Sequence, residues 1–484
     1  MSITIPYTIN VENKKTKILA TIGPATSDPE ILRKLIEDGV NLCRLNLKHG
    51  EHSWHENIAH QVRSIAEDLG VHIPLIVDLQ GPDIRTGEVS SPILKLVDGQ
   101  NVFVETKLTD KPSIELKKEY IEGLKTGQII LIDDGRIKLR VIEKVNTTKL
   151  VCVVEEGGEI GSKKSVFFPG LNLNVPAVTK KDIDDVTFGK KINAEYVAIS
   201  FVRTAKDIKD FKRELAKINY NPKIISKIET LKAVKNIDSI IKESDAIMVA
   251  RGDLGVEIQV EAVPSVQKQL IKKCIMVGKP VIVATQMLKS MVNSPNPTRA
   301  EVSDVANAVF DKADAVMLSE ESAIGKYPVK TVKVMAKTLR YSEINNENVD
   351  EENINRLDID TQLKAIVKTA KHMQAFLKQA GEKVKYFVIL TESGITAQYL
   401  SATRPNIPII AYSQDLTATR QMSLLYGVTS VCIKFEPTVD ESIACIIKNL
   451  LKEKVVKHGD KLIFISGQNI GKAGQTDSLR CLEA

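Results

Sequence analysis

Apolar residues run along this chain in short bursts separated by amphipathic stretches. The bursts are KILATIG from 17, NLCRLNL from 41, IPLIVDL from 73, EYVAISFV from 195, KIISKIE from 223, DAIMVA from 245, KPVIVAT from 279 and ADAVMLS from 313. They read as eight strands, with helices between them. SDPEILRKLIEDG, for example, sets Ser27 and Glu30 in capping-box spacing and closes on Gly39. Repeated alternation of strand and helix predicts parallel pairing through right-handed crossovers, and a set of eight predicts an α/β fold with a closed (β/α)8 TIM-type barrel. An open doubly wound sheet is the competing architecture.

One interval breaks the rhythm. From 84 to 176 the chain turns to β-rich runs such as GQNVFVET, GQIILIDDGRIKLRVIE and KLVCVVEEGGEIG, then meets Pro169 and Pro176. This predicts a small all-β domain inserted after the third barrel strand. Such an insertion sits at the carboxyl ends of the strands, where barrel active sites lie, so a lid role is expected. Beyond 345, NNENVDEENINRLDID is acidic, polar and aperiodic, as a linker is. VKYFVILTESG, IPIIAYS, VTSVCIK and DKLIFISG then alternate with helical segments and predict an open α/β domain. The expected division is a tail over 1–13, a barrel over 14–83 and 177–345, a lid over 84–176, a linker over 346–360 and a C-terminal α/β domain over 361–484.

Composition narrows the functional classes. A chain of 484 residues with 43% hydrophobic and 26% charged residues is an ordinary globular chain long enough for several cores. Its net charge of +6 is small and its basic residues are interspersed with acidic ones, which argues against a nucleic-acid partner and permits anionic metabolites. Neither a leader nor an apolar run of membrane-spanning length is apparent, so a cytoplasmic location without membrane attachment is expected. The six cysteines form no CxxC pair, and buried or incidental thiols are expected rather than a disulfide framework or zinc knuckle.

In a barrel, chemistry gathers where the strands end. The polar residues there are Arg44, Asn46 and Lys48 on the second strand, Asp78 on the third, Lys227 and Glu229 on the fifth, Asp253 after the sixth and Thr285 after the seventh. If the second strand runs through RLNLK, then Arg44, Asn46 and Lys48 share one face, and a face that basic suits an anion. Lys227 and Glu229 alone would read as a strand-end salt bridge. ARGDLG at 250–255 changes the balance, because Glu229 and Asp253 together can hold a hard divalent cation such as Mg2+. The amides of Gly252 and Asp253 could meet a substrate carboxylate, while Arg44 and Lys227 neutralise a phosphoryl group. Neither GxxxxGK[ST] nor GxGxxG occurs where a nucleotide fold would need it. His49, His52 and His55 recur at intervals of three and read as helix-surface or nucleotide-contact residues rather than a metal site.

These residues lie within segments that closely resemble the pyruvate kinase family: TKILATIGPAT, RLN followed by HG, GPDIRTG, GSKK, KIISKIE, IMVARGDLGVEI, GKPVIVATQML, PTRAEVSDVANAVFDKADAVMLS and GKYPV. The resemblance runs from about residue 14 to the C-terminus. It implies a barrel, a mobile inserted domain, a C-terminal effector or assembly domain, a homotetramer, and phosphoryl transfer from phosphoenolpyruvate to ADP giving pyruvate and ATP. By position, Glu229 and Asp253 resemble the Mg2+ (or Mn2+) ligands, Lys227 the transition-state lysine and Arg44 the phosphate contact. Gly252, Asp253 and Thr285 resemble the residues at the carboxylate and enol end of the substrate. Asn46, His49, Arg85 and Lys164 resemble those approaching the nucleotide phosphates. Thr391, Ser393, Gly394 and Thr396 resemble a phosphate-binding effector loop, although Glu392 stands where sugar-bisphosphate-activated relatives carry lysine.

Lys48 departs from the family. Serine is usual there, and with the residues matching Asn46 and Asp78 it binds an activating K+. An ammonium at that place, beside Asp78, implies a tethered monovalent cation and K+-independent activity; Leu79 agrees with this and Asp83 does not. Glu320 and Lys289 also replace the usual residues and are expected to compensate one another. Two alternatives remain open at this point: a metal-dependent lyase acting on pyruvate enolates from a similar barrel, and a non-catalytic metabolite-binding relative.

Overall fold

The computed structural model describes residues 14–109, 111–171, 176–345, 361–468 and 476–484. The expected tail over 1–13 and linker over 346–360 lie outside the described residues. All eight expected strands form, at Lys17–Thr21, Leu42–Asn46, Leu75–Asp78, Tyr196–Ile199, Lys223–Ile228, Ala246–Ala250, Val281–Ala284 and Ala315–Leu318. The first pairs in parallel with both the eighth (Ile18 opposite Val316) and the second (Ala20 opposite Cys43), so the sheet closes. That closure excludes the open doubly wound alternative.

Alternation along each strand divides the side chains into two cores. Ile18, Ala20, Cys43, Leu45, Val77 and Val197 face outward into the layer shared with the helices. Leu19, Leu42, Ile76, Tyr196, Ile225 and Met248 point inward and fill the barrel. The inward row does not stay apolar. Two residues above Leu42 comes Arg44, above Ile76 comes Asp78, and above Ile225 come Lys227 and then Glu229, so the period that builds the core also aims charge at its mouth.

The first barrel helix, Pro29–Glu37, is capped by Asp28, whose carboxylate accepts from the backbone N–H groups of Glu30 (2.9 Å) and Ile31 (3.1 Å). The expected cap, Ser27, instead donates to the carbonyl of Pro24 at 3.1 Å. Proline at the first helical position sets the start one residue later than the capping-box spacing suggested. Gly39 follows the helix at φ +116°, a conformation that favours glycine.

Between the third and fourth barrel strands, a six-stranded sheet and a two-stranded ribbon enclose a separate core that includes Val102, Val104, Leu139, Leu150 and Val154. The last segment forms a five-stranded sheet. Val428–Cys432, Ile409–Ser413, Val384–Leu390 and Lys461–Ser466 run parallel in that order, and Ser478–Glu483 joins antiparallel at the edge. No described helix is long and apolar enough to cross a membrane.

The C-terminal segment also closes the floor of the barrel. Leu424 is fully buried within the barrel's inner cluster, alongside Leu19, Ile76 and Met317. Polar contacts surround it. Tyr196 donates its hydroxyl to the carbonyl of Gln421 at 2.7 Å, Ser423 donates to the carbonyl of His72 at 2.8 Å, and Arg420 meets Glu195 at 3.2 Å. Leu424→Ala should therefore leave a cavity in the barrel rather than in the C-terminal sheet, lowering stability by about 2–5 kcal/mol. Urea unfolding followed by fluorescence measures the loss.

Candidate active site

Four strand ends bring their charges together at the barrel mouth. Asp78, 1% exposed, receives Arg44 Nε at 2.5 Å on one oxygen and Lys227 Nζ at 3.3 Å on the other. Arg44 also donates to the hydroxyl of Thr21 at 2.8 Å, which leaves the rest of its guanidinium for the mouth. Lys227 reaches Glu229 at 3.0 Å and the hydroxyl of Ser200 at 2.7 Å. Burial opposes the charge on Asp78, but Arg44 and Lys227 outweigh it and hold the carboxyl below its ordinary value. For Lys227, burial works against the ammonium and is overcome by Asp78 and Glu229, so its pKa is raised. Lys227 is thus fixed in its charged form.

Glu229 is 1% exposed, and its second oxygen accepts from the backbone N–H of Phe201 at 2.5 Å. Phe201 holds φ at +53°, a conformation a bulky residue rarely adopts. The carboxylate of Asp253 has no hydrogen bond or ion pair among the described residues. Burial and the like charge of Glu229 push its carboxyl up to about 7. Two carboxylates that destabilise one another, one without a protein donor, have the chemistry a hard cation would satisfy. Among the described residues, no group of three or more His, Cys, Asp or Glu is arranged to hold a metal. A pair suits Mg2+, which keeps water and substrate oxygens in its remaining positions.

Thr285 lies at φ +69° and Gln286 at φ +56°, consecutive left-handed residues of which the first is β-branched. Backbone strain of this kind persists only where its surroundings enforce it. Arg251 does so, donating to the carbonyl of Thr285 at 2.6 Å while its other terminal nitrogen meets Asp304 at 2.7 Å. The Thr285 hydroxyl accepts from the Gly252 N–H at 2.8 Å and donates to the carbonyl of Ala284 at 2.6 Å. The Gly252 amide, expected to be open to a substrate carboxylate, is therefore occupied by Thr285, and a carboxylate would have to displace that hydroxyl.

Lys48 is not beside Asp78. The second strand ends at Asn46 and the chain turns, so the expected shared face of Arg44, Asn46 and Lys48 stops at Asn46. Lys48 directs its ammonium to Asp83 at 2.9 Å, while Asp78 is taken by Arg44 and Lys227. Its charge is still felt in the mouth, where it helps to lower the Asp253 pKa. Asn46 accepts from the Lys48 N–H at 3.3 Å. The same Asp83 oxygen receives Arg85 at 2.8 Å, and Arg85 donates onward to the carbonyl of Lys163 at 2.8 Å. Lys164 pairs with Asp133 at 2.9 Å within the inserted domain. His49 is held below its ordinary pKa by the packing around it and by Lys48, Arg44 and Arg85. His52 pairs with Asp185 at 2.8 Å and stacks on Phe188, while buried His55 binds the carbonyl of His49 at 2.8 Å, so the three imidazoles do not converge.

Elsewhere, Lys289 and Glu320 form the expected ion pair. In the C-terminal domain, Gly394 lies at φ +79° ahead of helix Ile395–Ala402, and its N–H is taken by the hydroxyl of Thr391 at 3.1 Å. The hydroxyls of Thr396 and Thr476 meet at 2.7 Å, and the Ser413 hydroxyl donates to the carbonyl of Glu392 at 3.1 Å. Three mouth residues escaped the sequence reading: Ser200, Phe201 and Arg251. Ser200 and Phe201 follow the fourth strand, whose end carries no ionisable residue to draw notice. Arg251 sits beside the more conspicuous Asp253.

Comparison with known proteins agrees with this fold. Residues 13–332 match the model of the pyruvate kinase barrel domain, and 360–482 match that of the pyruvate kinase alpha/beta domain. A pyruvate kinase of Sporosarcina psychrophila is 39% identical over 96% of this chain and 80% of its own length. A pyruvate kinase of Dictyostelium discoideum is 38% identical over 97% of this chain and 94% of its own. Pyruvate kinase 2 of a Synechocystis strain is 38% identical over 96% and 79%. With both family models matched and these relatives aligned along nearly the whole of this chain, the chain belongs to the pyruvate kinase family, whose reaction moves the phosphoryl group of phosphoenolpyruvate to ADP.

Proposed function

We propose that the barrel mouth transfers the phosphoryl group of phosphoenolpyruvate to ADP with the residues assembled there. The observation that carries this reading is the Arg44–Asp78–Lys227–Glu229 cluster, in which a guanidinium and an ammonium are held beside two buried carboxylates. Arg44 and Lys227 face the transferring phosphoryl group and neutralise its developing charge without reorganising, the arrangement loose phosphoryl transfer requires. Asn46, His49, Arg85 and Lys164 flank the ADP phosphates. Glu229 and Asp253 would hold Mg2+ (or Mn2+), which supplies further neutralisation of charge on the substrate oxygens. Gly252 and Asp253 orient the carboxylate end of the substrate, which displaces the Thr285 hydroxyl from the Gly252 N–H. Thr285, whose hydroxyl already donates to Ala284, positions a proton donor for C3 of enolpyruvate rather than supplying the proton itself.

In this reading the barrel spans 14–83 and 177–345, the lid 84–176, and the effector and assembly domain 361–484. The protein acts in the cytosol as a homotetramer, as is typical of the family, and the 391–396 loop takes a phosphorylated effector. Activity proceeds without K+: Lys48 fixes a positive charge near Asp253, and Asp78 already has two cationic partners.

A lactate dehydrogenase-coupled assay should register Mg2+-dependent pyruvate formation from phosphoenolpyruvate and ADP, with Lys227→Met about 10²–10³-fold lower in kcat. Absence of ADP-dependent pyruvate would favour a lyase or a non-catalytic binder. The same assay in K+-free buffer should retain full turnover, while Lys48→Ser should acquire a K+ requirement; collapse of the unmodified chain without K+ would defeat the tethered-cation idea.

The carboxyl pair makes a separate prediction. Asp253, raised from 3.8 to about 7, prefers its proton in the folded chain, so its ionisation costs stability progressively as pH rises through that window. Asp253→Asn should stabilise the metal-free chain by about 3–4 kcal/mol at pH 8, with the gain shrinking toward pH 5. Thermal melts at the two pH values in EDTA test this, and Mg2+ should raise the midpoint only of the unmodified chain.

A further inference from the structure

A cavity of about 380 Å3 opens where both lid connections meet the barrel. The incoming connection lines it with Pro82, the outgoing one with Phe167, Phe168 and Leu171, and the barrel loops with Phe201 and Leu231. None of the residues given a substrate, nucleotide or metal role above lines it. Its volume falls in the range that holds small molecules, and its wall is largely aromatic and aliphatic.

The rim has the opposite character. Lys232 and Lys235 lie on the short helix Leu231–Lys235, both exposed at the cavity, and neither ammonium has a hydrogen-bond or ion-pair partner among the described residues. Of the carboxylates nearby, Asp83 serves Lys48 and Arg85, and Glu257, whose carboxyl burial holds above its ordinary value, is one acid against two ammoniums. Arg203, the third cation of the rim, is paired with Asp207 at 3.3 Å. The charge left uncompensated at this opening is therefore positive.

We propose that this cavity binds a small amphipathic anion, a flat apolar body of roughly twenty heavy atoms bearing one carboxylate, sulfonate or phosphate that Lys232 and Lys235 receive. Its occupant touches both lid connections and the barrel loops at once, so it binds one lid angle better than others and shifts the lid toward that angle. It also packs on Phe201, whose N–H holds Glu229. Control of turnover through the lid rests on the phosphotransfer reading above; the binding site itself does not.

Direct binding separates the two. With the full chain, 8-anilinonaphthalene-1-sulfonate should bind one per chain with a rise in fluorescence that saturating ADP and phosphoenolpyruvate do not reverse. Lys232→Glu with Lys235→Glu, on an exposed helix face, should weaken it about tenfold or more, while uncharged N-phenyl-1-naphthylamine should bind both forms alike. Leu231→Trp should fill the cavity and abolish binding of either probe with an unchanged circular dichroism spectrum. Equal affinity for the sulfonate in the unmodified and charge-reversed chains, or its displacement by ADP, overturns the site. In the coupled assay the sulfonate should alter kcat at saturating substrates in the unmodified chain and not in Leu231→Trp; binding without any change in rate overturns the lid control.

Discussion

The site depends on one buried anion shared by two cations. Removing Asp78, Arg44 and Lys227 from water costs several kcal/mol per ion, and their mutual attraction offsets this only because each carboxylate oxygen faces its own partner. Without Asp78, two like charges on nearby strands would repel one another across the barrel mouth. It sits on the third strand opposite Asn46 of the second and Ala198 of the fourth, so the register of the barrel sets the spacing of the cations.

The inserted domain is built apart from this cluster, around an apolar core of its own. Lys48, with a side chain 32% exposed, and Arg85, at 41%, share one oxygen of Asp83. The Asp83 side chain itself is only 5% exposed, so two partly exposed cations, one from the loop after the second strand and one from the start of the inserted domain, are tied to a single buried carboxylate.

Much of the architecture was legible because hydrophobic periodicity is a local property that the fold preserves. The eight strand runs, the β-rich insertion and the C-terminal alternation each carried their own pattern, and the charged strand ends lay where closure brings them together. The misses arose where tertiary geometry decides. The alternation of RLNLK places Lys48 on the strand face, whereas the backbone turns after Asn46. Asp28 displaced Ser27 as a cap once Pro29 set the helix start. Phe201 and Arg251 act through a backbone N–H and a guanidinium clamp on a strained loop, neither of which leaves a mark in spacing. The edge strand Ser478–Glu483, with burial only intermediate to low, lacks the apolar run that revealed its neighbours.

Leu424 gives the barrel a floor that arrives late. Its eight strands are complete at Leu318, yet a side chain of their inner core is encoded in the C-terminal domain, beyond five further helices and two further strands among the described residues. On the ribosome, the barrel can curl and pair its strands but must wait with an unsealed interior until that later segment emerges and docks. Such a nascent chain displays apolar surface for as long as the interval takes to translate, and a nonsense truncation between the two would strand the molecule in that condition.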